Sequence, residues 1–307
     1  MSGEKSKSSG EFGEKIVSNF FKLIGWSGVE EGITIECVFH EEHARPSKKH
    51  GIDAYFRYKS ELMKSNTQED VLVSIKHTAN KYPSSPNSIF KSHLKDLAYA
   101  MECFPYDKDY VGRKLPSGIQ DRNLSGVIFW ISQEDDDRTD LISKVCNFNN
   151  TDKIDYGPIY LVDNNKLSFL YNSIKYVQKH FDDYDFEYHK TGFNNNPAEF
   201  HDYGKVLPVQ LINTNILPIR FFEESSSGIA VFLNEPFSEE SLIKVVGFTK
   251  LISKDWPEKV YIFYSDYNKL THSNIVERVR SNFTDTKFKS KIYVKSFIDS
   301  IATLGGE

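Results

Sequence analysis

The chain has 307 residues, of which 39% are hydrophobic and 26% are charged, and its formal net charge is −5. This composition is typical of a globular protein and excludes a collagen, a disordered tail and a disulfide-rich scaffold. No stretch approaches the roughly 20 apolar residues of a membrane helix, and the polar start lacks the apolar core of a secretory signal. Three scattered cysteines, Cys37, Cys103 and Cys146, are typical of a reducing compartment. We therefore expect a cytoplasmic protein without a membrane partner.

The first part of the chain alternates between helical and strand patterns. Phe12, Ile16, Phe20 and Leu23 recur at helical spacing and predict a first helix that stops at Gly25. In chain order the predicted elements are a helix at 11–25, strands at 33–39, 51–58 and 70–77, a helix at 88–102, a strand at 126–132, a helix at 138–146, a strand at 158–162 and a helix at 165–181. This order predicts an α/β fold in which helices flank a mixed sheet.

A chain of this length exceeds the usual size of one hydrophobic core, so we expect two domains. The segment 191–205 has the Gly, Asn and Pro residues of a linker. After it we predict strands at 206–212, 216–222 and 228–233, a helix at 238–253, a strand at 259–265, a helix at 272–282, a strand at 290–295 and a short terminal helix. The predicted domains are therefore 1–195 and a second, smaller α/β domain at 196–307.

Three charged residues stand at informative positions among the first elements. Glu14 lies on the first helix, Asp53 follows Gly51 in the second strand, and Lys76 ends the sequence V-S-I-K in the third strand. This arrangement resembles the PD-(D/E)XK nuclease superfamily, whose members have the restriction-endonuclease-like fold. The resemblance covers roughly residues 9 to 180. It implies that an acid from the first helix, an Asp from one strand and a Lys from the next meet at one end of the sheet.

The resemblance also implies roles for these residues. Asp53 and the carbonyl of Ile75 would bind Mg²⁺ or Mn²⁺, Lys76 would orient the attacking water, and Glu14 would anchor a metal-bound water or a second ion. The chemistry has a simple reason, because phosphodiester hydrolysis needs an activated water and positive charge beside the phosphate. Lysine is costly to bury, so Lys76 in an apolar strand is expected to reach a cleft or a partner.

Position 74 departs from the family pattern. The family has Asp or Glu there, whereas this chain has Ser74, a poor ligand for a hard cation. We expect either that Glu102 or Asp96 supplies the missing acid from the following helix, or that the nuclease fold no longer cuts.

Basic residues cluster around the candidate site. Between residues 71 and 95 the chain has no acid, and Lys81, Lys91, His93 and Lys95 follow the strand that ends with Lys76. Such residues contact a phosphate backbone without reading sequence. We expect them to bind nucleic acid, although a solvated helix face would have the same composition.

A second group of residues superficially suggests zinc. Cys37, His40, His43 and His50 lie close in sequence, but no second cysteine pair accompanies them, and Cys37 lies in an apolar strand. A core cysteine followed by a polar loop is the favoured interpretation.

The resemblance as a whole implies a metal-dependent DNA nuclease of a multi-subunit bacterial antiphage defence complex. Its partners would be DNA and a second protein subunit encoded by a neighbouring gene, in a homo- or hetero-oligomer in which residues 196–307 serve assembly or regulation. The alternative is a catalytically inactive nuclease-fold subunit that binds DNA or a partner nuclease as a scaffold or sensor. A ribonuclease with the same fold also remains open, since the sequence does not separate DNA from RNA.

Overall fold

The structure is a computed structural model that describes residues 2–43, 47–60, 62, 66–112, 115–136, 138–146, 154–189 and 202–298. The chain forms two compact units. The first comprises Met1–Ser168 with Leu207–Asn213, and the second comprises Phe169–Val206 with Thr214–Glu307. The domain boundary predicted between residues 195 and 196 lies outside the described residues.

The first unit is built on a five-stranded mixed sheet with the order β1-β2-β3-β4-β5. Its strands are β1 (Glu30–Glu36), β2 (Lys49–Ser60), β3 (Thr67–Thr78), β4 (Asp121–Ser132) and β5 (Ile159–Val162). The first three strands pair antiparallel, and β3, β4 and β5 pair parallel. The helices are α1 (Ser2–Leu23), α2 (His40–His43), α3 (Asn87–Cys103), α4 (Lys108–Val111) and α5 (Ile142–Val145). The predicted α/β fold, a mixed sheet flanked by helices, is confirmed.

Alternation along β4 explains how helices cover both faces of this sheet, because successive strand residues point to opposite sides. Phe129 contacts Phe20 and Phe21 of α1 with ring centroids 6.0 and 5.9 Å apart. Its neighbours Ile128 and Trp130 belong to the apolar cluster that includes the buried residues of α3. The β4 strand therefore lies between α1 on one face and α3 on the other.

The second unit has a six-stranded mixed sheet with the order β11-β10-β9-β8-β6-β7. Its strands are β6 (Asp183–Glu187), β7 (Tyr203–Gly204), β8 (Ile216–Glu223), β9 (Ser226–Leu233), β10 (Lys259–Tyr264) and β11 (Ile292–Ser296). The helices that follow α5 are α6 (Asn164–His180), α7 (Glu239–Ser253), α8 (Lys269–Asn282) and α9 (Thr286–Lys289). The second α/β sheet is confirmed, but the predicted strand at 206–212 is wrong, because this segment contains a 3-10 turn at Val209–Leu211.

The segment Leu207–Asn213 belongs to the first unit because it is tied to the end of α1. The indole N–H of Trp26 donates a 2.8 Å hydrogen bond to the Leu207 carbonyl, and the Leu207 N–H donates to the Ile24 carbonyl. The predicted terminal helix lies outside the described residues. Within the described ranges, no helix combines the length and the apolar character needed to cross a membrane.

Candidate active site

The candidate site lies where β2 separates from β3. The antiparallel register of these strands ends at the pair Ala54 and Val73, whereas the parallel register of β3 with β4 continues to Thr78 and Ser132. Past this fork, the backbone N–H of Ile75 donates a 2.5 Å hydrogen bond to Oδ2 of Asp53. The half-buried Asp53 carboxylate thus takes the place of a strand partner for Ile75.

Lys76 lies beside this fork on the face of the sheet that α3 covers. Ser74 and Lys76 are two residues apart on β3 and therefore share a face; Ser74 is buried and Lys76 is half-buried. The next helix brings His93 close to Lys76, and the His93 ring packs edge-on against Trp130 at 5.0 Å. Burial, together with the nearby Lys76 charge, lowers the pKa of His93 to about 4. His93 is therefore neutral at neutral pH, whereas Lys76 supplies a positive charge.

Glu14 lies on α1 next to Gly13, which packs against the same end of β3. Gly13 packs so closely on His77 that a Cβ added at Gly13 would lie 2.5 Å from the His77 Cβ, and the Phe12 ring contacts the His77 ring. His77 and Lys76 are adjacent and point to opposite faces. Glu14 is exposed, and among the described residues no hydrogen bond or ion pair connects it to Asp53 or Lys76.

Glu102 lies elsewhere, contrary to the expectation that it replaces an acid at position 74. Its Oε2 is 2.8 Å from Nε2 of His43, and its Oε1 accepts a hydrogen bond from the Asp155 N–H. It follows His93 by nine residues on α3, which is about 13 Å along a helix axis. Asp96, in contrast, interacts electrostatically with His93, as Lys76 does. Asp96 is thus better placed than Glu102 to serve the site.

The basic residues of the predicted nucleic-acid surface differ in exposure. Lys81 is exposed, while Lys91 and Lys95 of α3 are half-buried. The Lys95 ammonium group lies 5.2 Å from the centre of the Tyr99 ring. The cationic residues here are therefore the lysines, because His93 is uncharged at neutral pH.

Comparison with known families agrees with this geometry. The profile of the GAPS4 protein PD-(D/E)XK nuclease domain matches residues 1–166. The chain belongs to this family. The match covers the first sheet and the helices α1 to α5, and it confirms the resemblance to PD-(D/E)XK nucleases of antiphage defence systems. No curated protein and no solved structure matches the chain.

A second cluster of chemically active side chains lies at the far end of α3. The ligand atoms of Cys37, His43, His50 and Cys103 all lie within 4.8 Å of one another. The expectation of a core cysteine followed by a polar loop is wrong for His43 and His50, which are buried beside Cys37, whereas His40 is not part of this cluster. Sequence spacing missed Cys103 because it follows His50 by 53 residues and comes from another element.

A cavity of about 650 Å³ opens at the other end of β3. Glu69, Arg122 and Tyr160 are among the residues that line it, whereas Asp53 and Lys76 do not. Burial raises the pKa of Glu69. Seven residues of strand separate Glu69 from Lys76, which is about 23 Å, so this cavity is distinct from the fork.

Proposed function

We propose that this PD-(D/E)XK nuclease-fold defence protein is a metal-dependent nuclease that cuts DNA within a multi-subunit antiphage complex. The observation that carries the proposal is the fork between β2 and β3, where the Asp53 carboxylate binds the Ile75 N–H next to Lys76. Fork geometry of this kind gathers a carboxylate, a backbone carbonyl and a lysine at one end of a sheet.

The oxygen donors at the fork fit a hard divalent cation. In an extended strand the N–H and C=O of one residue face the same neighbour, so the Ile75 carbonyl faces the side on which Asp53 lies. Carboxylate and carbonyl oxygens are the ligands that Mg²⁺ and Mn²⁺ prefer. Asp53 and Ile75 would hold the ion, which when bound supplies positive charge beside the phosphate.

Lys76 would stabilise the charge that develops on the phosphate during hydrolysis. Lys76 is half-buried, and partial burial strengthens an electrostatic interaction because less water screens it. Because His93 is neutral, Lys76 would supply the positive charge, and His93 would offer a ring nitrogen for hydrogen bonding.

The acid that the family has at position 74 would come from α3 in this chain. This is supported by Asp96, which lies three residues after His93 on α3 and acts electrostatically on the same imidazole as Lys76. We assign the missing ligand to Asp96 in place of Glu102. Glu14 would act from the α1 side on a metal-bound water.

DNA would pass along the N-terminal half of α3. Lys81 precedes this helix, Lys91 and Lys95 lie on it, and lysine contacts to phosphates fix the position of DNA without reading its sequence. We infer that the second unit binds a second protein subunit, which a neighbouring gene encodes. Leu251 of α7 and Leu270 of α8 are 76% and 90% exposed, which supports a protein contact there.

One observation favours a second function. Ser74 is 6% exposed and stands where a metal-binding acid is expected. A chain that has lost this ligand would keep the fold and the lysines and would bind DNA or a partner nuclease as a scaffold or sensor.

The test is cleavage of supercoiled plasmid, linear duplex DNA and single-stranded RNA by the full chain, alone and with the neighbouring gene's product. We expect cutting of DNA in Mg²⁺ or Mn²⁺, no cutting in excess chelator, and little cutting of RNA. Preferential cutting of RNA would overturn the substrate assignment. Binding of DNA or the partner without cutting in any mixture would favour the scaffold.

A further inference from the structure

We propose that Cys37, His43, His50 and Cys103 bind one structural zinc ion. Three of these residues come from the β1–β2 hairpin, and Cys103 ends α3. Two sulfur and two nitrogen donors form the Cys₂His₂ set that closes a tetrahedral zinc site. This donor set is chemically distinct from the oxygen donors at the fork.

The spacing of the donors fits zinc. Nδ1 of His43 lies 3.3 Å from the Cys37 sulfur and 3.8 Å from the Cys103 sulfur. Zinc–sulfur and zinc–nitrogen bonds at tetrahedral angles place sulfur and nitrogen about 3.6 Å apart. The His50 ring packs edge-on against the His43 ring with centroids 5.4 Å apart. The side chains are therefore gathered around a common centre.

The surroundings of His43 hold its ring in the orientation that zinc binding needs. Nδ1 faces the two sulfurs, while Nε2 lies 2.8 Å from the Glu102 carboxylate. A carboxylate on the second ring nitrogen is the usual partner of a zinc-bound histidine, because it fixes the tautomer and raises ligand basicity. The Tyr99 ring stacks on the His43 ring at 3.9 Å. These contacts explain why Glu102 is engaged here instead of at the fork.

The Cys103 sulfur also receives hydrogen bonds from the backbone N–H groups of Val38 and Phe39. These contacts tie the end of α3 to the residues that follow β1. Cys103, His43 and His50 are 0%, 4% and 1% exposed. Four protein donors and this degree of burial leave no position for a substrate, so the site is structural rather than catalytic.

The site would connect the hairpin to α3. His50 precedes Asp53 by three residues on β2, so a zinc bond to His50 restrains the strand that carries Asp53 to the fork. Zinc would thus support the nuclease site without taking part in its chemistry.

The test is the metal content of the full chain after purification without chelator. We expect one zinc per chain in the wild type and in the control Cys146→Ser, whose thiol is exposed and outside the cluster. Cys37→Ser and Cys103→Ser should lose zinc. Absence of zinc from a wild-type chain that also fails to take up added Zn²⁺ would overturn the proposal. Retention of zinc by both cysteine variants would do the same.

Two further measurements keep the test decisive if the cysteine variants fail to fold. Wild-type protein loaded with Co²⁺ should show intense tetrahedral d–d bands and thiolate-to-cobalt charge transfer, and weak octahedral bands would contradict the assignment. The milder variant Glu102→Gln keeps all four ligands and should weaken zinc binding about 10- to 100-fold. An unchanged zinc affinity in folded Glu102→Gln protein would show that the Glu102–His43 pair does not support zinc binding.

Discussion

The Asp53 carboxylate and the Ile75 N–H are joined by a 2.5 Å hydrogen bond at the point where two strands separate. A side chain here replaces the partner that β2 no longer supplies to β3. The consequence is a carboxylate of fixed orientation beside a strand whose next residue is Lys76. The proposed metal site depends on this one relationship.

Asp53→Asn should weaken binding of Mn²⁺ to the fork by at least about 10-fold, because an amide oxygen replaces an anionic ligand. Titration calorimetry on zinc-loaded protein measures the change. The matched control is Asp140→Asn, since Asp140 is an exposed acid whose carboxylate accepts a hydrogen bond from the Ser143 N–H, a contact that an Asn side-chain oxygen also accepts. Equal Mn²⁺ affinity in the two variants would remove Asp53 from the metal site.

Asp96→Asn should lower the cleavage rate about 10-fold or more if Asp96 supplies the missing ligand. Ser74→Asp restores the family's acid on β3 and should rescue cleavage in the double variant Ser74→Asp/Asp96→Asn. Initial rates on plasmid DNA measure both effects. An Asp96→Asn rate equal to that of wild type would show that another group, or a partner chain, supplies the acid.

Lys76→Met should raise the pKa of His93 from about 4 toward the ordinary value of about 6.5. The rise should be partial, because burial is the larger cause of the depression and remains in the variant. Histidine NMR signals followed through a pH titration measure the pKa. Lys91→Met on α3 is the control and should leave the titration curve of His93 in place. A His93 pKa unchanged by Lys76→Met would show that the Lys76 charge does not act on His93.

The depressed pKa of His93 also sets a pH dependence of stability. Between about pH 6.5 and about pH 4 the unfolded chain binds a proton that folded His93 does not. The stability from neutral His93 is present above about pH 6.5 and is lost as the pH falls through about 4. Urea unfolding at several pH values should show a steeper acid loss in wild type than in His93→Gln. Parallel curves would contradict the depressed pKa.

Gly13→Ala should destabilise the first unit by about 1–3 kcal/mol, the usual cost of overpacking. The added Cβ would lie 2.5 Å from the His77 Cβ and push α1 away from β3. Gly10→Ala on the same helix has open space around its Cβ and should be neutral or stabilising by up to about 1 kcal/mol. Chemical denaturation measures both. Equal effects of the two substitutions would contradict the close packing.

Hydrophobic periodicity predicted most helices and strands of both units. The helical spacing of Phe12 and Phe20 and the apolar run in β4 are local patterns that the sequence shows directly. The acidic run that contains β6 escaped prediction because its charges suggest a loop. Glu187 of this strand is 2% exposed and pairs with Arg220 of β8. Its partner is distant in sequence, so local patterning could not predict this burial.

The candidate site also contains residues that the sequence could predict and residues that it could not. Asp53 and Lys76 could be found from sequence because each stands at a fixed place in a strand of a familiar fold. Asp96 and Glu102 could not be distinguished from sequence. The choice depends on how α3 packs, which brings Glu102 to His43 and leaves Asp96 one turn from His93. Cys103 joins the second cluster only through the packing of α3 on the hairpin.

The most direct test of the central claim is the rate at which the full chain cuts supercoiled plasmid in Mg²⁺, compared among wild type, Asp53→Asn, Lys76→Ala and the control Asp140→Asn. We predict that wild type and Asp140→Asn cut at the same rate and that the other two are slower by at least about 100-fold. Cutting by Asp53→Asn and Lys76→Ala at the wild-type rate would contradict the assignment of the fork as the catalytic centre.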